Sequence, residues 1–450
     1  MTHSRHATLA QIARSLADGK VTARQLAEES LARIADPKGE GARAFIHVDA
    51  AKVMHAADEQ DALRRAGRAP SPLAGIPFGV KDLFDVAGEV TAAGSKLLAR
   101  AKPAAADSDA VAALKRAGMV ALGRTNMTEF AYSGVGLNPH HGTPLSVYGR
   151  TERRIPGGSS SGSAVAVAEG MCPVALGTDT GGSCRIPAAF NGIVGYKPSA
   201  QRVSRRGVYP LSGSFDSVGP IANSVACCAT IDALLAEQTG PLPQAKSGAL
   251  RLAVLADHVL EGLDHHVARD FDAVLARLRK AGHSISELRM PELAELPSLL
   301  ANGGIVAAEA WVHHAPIVAA HEADYDPRVV GRIRFGGKIT MEELEHLRLR
   351  RRALVQRFAA VAADHDAVLC PTVPVIPPRL DELDAEADYR RINGLCLRNT
   401  YVFNFLDACA ISLPMHPQGE PPTGLMLALP NGADRSLLAI AQGIESAVSD

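Results

Sequence analysis

"DSDAVAALKRAGMVALG", residues 107–123, decides the fold class. Residues 107–118 read as a helix closed by Gly118, and "MVALG" after them reads as a short strand. The same helix–glycine–strand rhythm returns in "HHVARDFDAVLARLRKAGHSISEL", residues 265–288. Alternation of this kind argues α/β. Further out, the first 35 residues read as two helices. Leu9, Ile12, Ala13 and Leu16 share a face of the first, which Gly19 stops, and Thr22 opens the second with Gln25 at capping-box spacing. "IPFGVKDLFDV" (76–86) reads as a strand region. "SSSGSAVAVAEG" (159–170) reads as a helix with serines at its N-terminus, and "CPVALGTD" (172–179) as a buried strand running into a glycine loop.

Residues 240–365 change character, with longer helical stretches and the charged helix "MEELEHLRLRRRALVQRFAAVAADH". "AVLCPTVPV" (367–375) and "TGLMLALP" (423–430) read as returning strands, and "RSLLAIAQGIESAV" closes the chain as an amphipathic helix. Neither repeats nor long linkers interrupt the chain. Strands from both ends are needed for one sheet. The expectation is a single large α/β domain over 1–450, with a central mixed β-sheet covered by helices on both sides. Its motif-rich core spans 73–224, and about 240–365 form a divergent helical region on the substrate side.

Apolar residues make up 47% of the 450, so a large core is available. Basic and acidic residues balance at 47 and 48, and aromatics are 4%, which argues against nucleic-acid and membrane-surface roles. The seven cysteines are odd in number and form no CxxC, pointing to reduced thiols in a cytoplasmic protein. "MTHSRHATLAQIARSLADGK" lacks an apolar signal core, and no apolar run is long enough to cross a bilayer. The sixteen histidines fall in no metal-binding spacing, so neither a metal nor another cofactor is expected. Both a homodimer and a small accessory protein chain are compatible with the sequence.

Three stretches carry chemistry: "GIPFGVKDLFDV" with Lys81, "IPGGSSSGSAVAVA" with Ser159 to Ser161, and "GTDTGGSCRIP" (177–187) with Ser183. A serine hydroxyl attacks poorly until a base takes its proton. No histidine lies in these stretches, but a neutral lysine can serve. Its pKa must fall by about 3 units, on the order of 4 kcal/mol, which burial can supply. Lys81, inside an apolar run, suits that role; a strand-end lysine with its head in water fits the same position. Serines at a helix N-terminus meet free N–H groups, and Gly181 and Gly182 allow N–H groups to converge on one point, as an oxyanion hole requires. A plain glycine-rich turn is the competing reading.

Jointly, and in this order, these motifs resemble the amidase signature family, most densely over 73–224 and again weakly at "CPTVP" (370–374). The resemblance implies Lys81 as base, Ser159 as bridging serine after a cis peptide bond, and Ser183 as nucleophile. It implies backbone N–H groups of Thr180, Gly181, Gly182 and Ser183 as the oxyanion hole, with Ser160, Asp179 and Arg185 bracing the site. Asn126, Met127 and Tyr132, in "TNMTEFAYSG", resemble the family's pocket segment. The activity implied is hydrolysis of a small-molecule carboxamide through an acyl-enzyme, releasing ammonia or an amine.

Three other readings compete. Gly158-Ser-Ser-Ser-Gly162 satisfies G-x-S-x-G, which makes Ser160 the nucleophile of an α/β-hydrolase if a strand precedes it; "YGRTERRIP" is too charged for one. A glutaminase subunit of a tRNA-dependent amidotransferase shares the family core. A non-catalytic scaffold is disfavoured by the intact relay positions. Arg202, Arg205 and Arg206 follow the glycine loop closely and suit either an acidic substrate or an ion-paired surface.

Overall fold

Thr8 and Thr22 each open a helix in the computed structural model, which describes residues 6–241 and 244–448. The first five residues of the stretch read above for a leader, residues 242–243 and the last two residues lie outside the described part. Both threonines form full capping boxes, with Gln11 and Gln25 answering from the third helical position. The helices run Leu9–Ala17 and Ala23–Ala35, and the first buries Leu9, Ile12 and Leu16.

Among the described residues, eleven strands follow: β1 Phe45–His47, β2 Pro77–Lys81, β3 Val120–Thr125, β4 Val174–Asp179, β5 Val194–Lys197, β6 Ser217–Ala222, β7 Arg251–Leu255, β8 Ser284–Leu288, β9 Ala367–Pro371, β10 Cys409–Pro414 and β11 Gly424–Leu429. They form one mixed sheet in the order β1-β3-β2-β4-β6-β5-β10-β11-β9-β7-β8. β3, β2 and β4 are mutually parallel, as are β9, β7 and β8. The middle of the sheet, from β4 through β11, is antiparallel. Every residue of β2, β4, β6, β9 and β11 is buried, which requires cover on both faces of the sheet. Helices supply it, as expected.

One sequence expectation needs correcting, and another extending. The strand at 76–86 stops at Lys81, because the N–H groups of Leu83 and Phe84 both turn back to the Lys81 carbonyl (2.7 and 3.1 Å). Asp82 then anchors the turn, accepting from Arg124 Nε (2.6 Å) and the Gly94 N–H (2.9 Å) in a buried ion pair. Within 240–365, read as mainly helical with a helix–glycine–strand at 265–288, a further strand, β7, also forms. β7, the His265–Lys280 helix and β8 make a parallel βαβ unit that extends the sheet to its edge. The edge strand β8 is mostly exposed, so its apolar pattern is weak.

The Ser161–Ala168 helix is buried along its whole length. Its small residues permit that approach: a Cβ on Gly162 would overlap the Ala44 carbonyl and the Asn126 backbone. At the other end of the chain, the Asp434–Val448 helix packs on β10 and β11. Asp434 fastens it to the end of β5, accepting from the Tyr196 hydroxyl (2.7 Å), the Ser199 hydroxyl (2.6 Å) and the Ser199 N–H (2.8 Å). All seven cysteines are buried and unpaired. Among the described residues, no helix is long and apolar enough to cross a membrane.

Candidate active site

β2 and β4 are parallel neighbours, so Lys81 and the Thr178–Asp179 pair end on the same edge of the sheet. In open α/β sheets that edge is where ligands bind. Lys81 is fully buried, and its Nζ lies 2.8 Å from Ser159 Oγ and 2.7 Å from Thr178 Oγ1. Burial pulls its pKa from 10.5 down to about 7, against the opposing pull of Cys184, Asp179 and Asp216. Half of the amine is therefore neutral near pH 7. Thr178 is a residue that sequence reasoning misses. It stands opposite Lys81 only because the two strands pair, and no local signal carries that information.

Ser159 follows a cis Gly158–Ser159 peptide bond, and its carbonyl accepts the Thr128 N–H (3.1 Å). The next residue ties the two serine segments together, since the Ser160 N–H donates to the Ser183 carbonyl (3.4 Å). The Ser160 hydroxyl donates to the Thr178 carbonyl (3.4 Å). Residues 149–158 are turns with one isolated bridge at Arg154, so the strand that a nucleophile elbow at Ser160 requires is missing there.

Asp179 organises the glycine loop. Its fully buried carboxylate accepts from the Gly182 N–H (2.8 Å), the Cys184 N–H (3.1 Å), Arg185 Nε and Nη2 (3.0 and 2.9 Å) and Asn404 Nδ2 (2.9 Å). Burial alone would raise its pKa; the Arg185 guanidinium, with Lys197 and Asn404, outweighs that and holds it at about 2. The family resemblance implies that Thr180, Gly181, Gly182 and Ser183 all offer N–H groups to an oxyanion. The Gly182 N–H is instead committed to Asp179, which leaves those of Thr180, Gly181 and Ser183 free of that carboxylate. Thr180 is steadied separately, its hydroxyl donating to Asp216 Oδ1 (2.6 Å). The Glu386–Phe405 helix closes the loop from outside: Thr400 Oγ1 donates to the Gly181 carbonyl (2.7 Å), and Asn404 Oδ1 accepts from Arg185 (2.6 Å).

Of the three pocket candidates, only Tyr132 faces a cavity. Asn126 is fully buried and saturated: its Nδ2 donates to the Arg43 and Gly142 carbonyls (2.8 Å each), and its Oδ1 accepts the Met127 N–H (2.8 Å). Met127 is packed in the core, its carbonyl accepting from Asn138 (2.7 Å). These hydrogen bonds brace the 126–138 segment. Tyr132 lines a cavity of about 590 Å³, together with Leu397 and Tyr401. That cavity abuts the glycine loop, because a Cβ on Gly181 would stand 3.1 Å from the Tyr401 ring and 3.3 Å from Leu397. A second cavity, of about 230 Å³, is lined by Thr178, Thr180, Tyr209 and Asp216.

The three arginines after the loop separate. Arg202 grips Asp232 bidentately (2.7 to 3.1 Å), and Arg206 pairs with Asp109 at the surface. Arg205 lines the smaller cavity and donates to the Gly213 carbonyl (2.7 Å). Cys184 is packed, with burial raising its thiol pKa above the ordinary range. Among the described residues, no group of three or more His, Cys, Asp and Glu stands where it could hold a metal ion.

Known proteins resemble the chain along nearly its whole length. A 2-amino-5-chloromuconic acid deaminase from Comamonas testosteroni is 35% identical, with 89% of this chain and 87% of the relative aligned. A glutamyl-tRNA(Gln) amidotransferase subunit from Streptomyces coelicolor is 31% identical over 98% of this chain and 95% of that one. A solved crystal structure of an amidase superposes with a TM-score of 0.89 at 31% identity, covering 98% of this chain and all of the other. The family model described as Amidase matches residues 25–438, so the chain belongs to the amidase family and is a hydrolase of amide C–N bonds.

Proposed function

We propose that this amidase cleaves a small-molecule carboxamide through an acyl-enzyme on Ser183, with Ser159 and Lys81 as its proton relay. The observation that carries this reading is the buried, half-neutral Lys81 amine 2.8 Å from Ser159 Oγ. Lys81 takes the Ser159 proton as Ser159 takes that of Ser183. Ser183 attacks the amide carbon, and the developing oxyanion is held by the Gly181 and Ser183 N–H groups, with that of Thr180 beside them. The proton returns through Ser159 to the leaving nitrogen, which departs as ammonia or an amine. Water then repeats the cycle on the acyl-enzyme.

A serine-directed fluorophosphonate tests the assignment. Labelling of the parent protein is expected, and its loss in Ser183→Ala but not in Ser160→Ala. Labelling that survives Ser183→Ala in folded protein would overturn the role of Ser183.

A second reading, the glutaminase subunit of a tRNA-dependent amidotransferase, is favoured by the Streptomyces coelicolor relative. It predicts glutamine hydrolysis that depends on a partner protein. The first reading predicts amide hydrolysis by the isolated chain.

A further inference from the structure

The larger cavity carries an unbalanced charge. Two helix faces build much of it. Arg328, Gly331, Arg332 and Phe335 recur at helical spacing on the Pro327–Gly336 helix, and Arg390, Leu397, Arg398 and Tyr401 lie on the Glu386–Phe405 helix. The one carboxylate in the lining, Glu386, is bonded to Arg390 (2.7 Å). Arg328, Arg332 and Arg398 form no salt bridge among the described residues, although Asp326 lies within electrostatic range of Arg328 and Glu261 within that of Arg398. They donate only to neutral oxygens: the Leu383 carbonyl (3.2 Å), the Tyr132 carbonyl (3.0 Å), and the Val259 carbonyl with the Asn399 amide (3.3 and 3.0 Å).

The guanidiniums are also held in place. Arg332 lies over the Tyr132 ring (4.5 Å to its centre) and Arg328 over the Tyr389 ring (4.9 Å). Fixed arginine forks outside any salt bridge are the arrangement that receives a planar anion. A separate observation points to the same space. Tyr401, whose ring lies on the cavity wall beside Gly181, has a buried hydroxyl with no hydrogen-bond partner among the described residues. A buried donor in that state is costly unless a ligand completes it.

We infer that the cavity selects amides carrying a carboxylate on the acyl side, with Arg332 as the principal anion contact, Arg328 and Arg398 beside it, and Tyr401 as a further donor to the substrate. The substrate class is the monoamide of a small dicarboxylic acid. Placing that amide at Ser183 rests on the reading above; the anion selectivity of the cavity does not.

The test separates the two. Binding of glutaramate and of glutaramide, which differ in one charged group, is measured by calorimetry on Ser183→Ala, so that turnover plays no part. The acid is expected to bind at least about tenfold tighter, since a charge-assisted pair is worth on the order of 1.5–3 kcal/mol. Adding Arg332→Gln should erase most of that preference, and Arg332→Lys should restore part of it. Adipamate and adipamide repeat the comparison at greater length. Equal or tighter binding of the diamides at both lengths overturns the inference. So does an acid preference that survives Arg332→Gln, Arg328→Gln and Arg398→Gln alike. A clear acid preference in a protein whose parent releases no ammonia from either amide would support the charged cavity while defeating the Ser183 reading.

Discussion

At the scale of single residues, Lys81 is where position and chemistry meet. Burial holds its pKa at about 7, so the neutral base is present above that pH and lost below it. The expected profile of kcat/KM is a plateau above about pH 7.5 and a tenfold fall per unit on the acid side. A pH–rate profile checks it. Lys81→Met should lower kcat/KM by roughly 10²–10⁴-fold, the usual weight of general acid–base catalysis. Stability should rise with pH as well, over a higher window. Between pH 7 and 10.5 the unfolded chain holds a proton that the folded lysine has released. Stability therefore rises with pH across that window, and below it the full burden of the buried amine is felt. Urea denaturation at pH 7 should find Lys81→Met no less stable than the parent, despite its lost activity.

At the scale of elements, the glycine loop is shaped by the two pieces that flank it. Gly182 has φ +133°, and a side chain there would overlap the Thr400 hydroxyl. Gly182→Ala must push the loop off the Glu386–Phe405 helix. A displacement of that size at a nucleophile is expected to cost about 100-fold in kcat/KM, measured alongside Tm. Asp179→Asn acts through charge instead, leaving Arg185 buried without its counter-ion. A loss of about 3–5 kcal/mol in urea denaturation is expected. Because Arg185, with Lys197 and Asn404, depresses the Asp179 pKa to about 2, from an unfolded value near 3.8, its stabilisation is present above pH 3.8 and disappears only as pH falls through 2.

At the scale of the whole molecule, the sheet joins strands from residue 45 to residue 429. The final helix buries Leu437, Leu438, Ile440, Ile444 and Val448, and Asp434 ties it to the segment after β5. β5 pairs with β6, and β6 with β4, which carries Thr178 and Asp179. Deleting residues 434–450 should abolish cooperative folding rather than trim a tail. Asp434→Ala, which leaves three buried donors without their acceptor, should cost about 2–4 kcal/mol. Thermal and urea melts of both variants, with soluble yield, check this.

The α/β class, the Thr22 cap, the helix–strand pair at 109–125 and the three stretches that hold Lys81, Ser159 and Ser183 were all legible in the sequence. Caps, glycine stops and apolar runs act within a few residues of one another, so a linear chain displays them. Other features depend on contacts between distant segments. Asn404 reaches Asp179 across 225 residues, Thr178 meets Lys81 only through strand pairing, and Asn126 is bonded to carbonyls of two separate segments, at Arg43 and Gly142. Nothing local sets Arg328 and Arg332 apart from ordinary helix-surface charges until a second helix, Glu386–Phe405, closes a cavity over them. Local propensity and a compact motif order determined what kind of protein this is. Which groups are neutral, which N–H groups are free and which charge the cavity favours was decided by burial and long-range pairing, because desolvation and Coulomb forces depend on neighbours in space rather than along the chain.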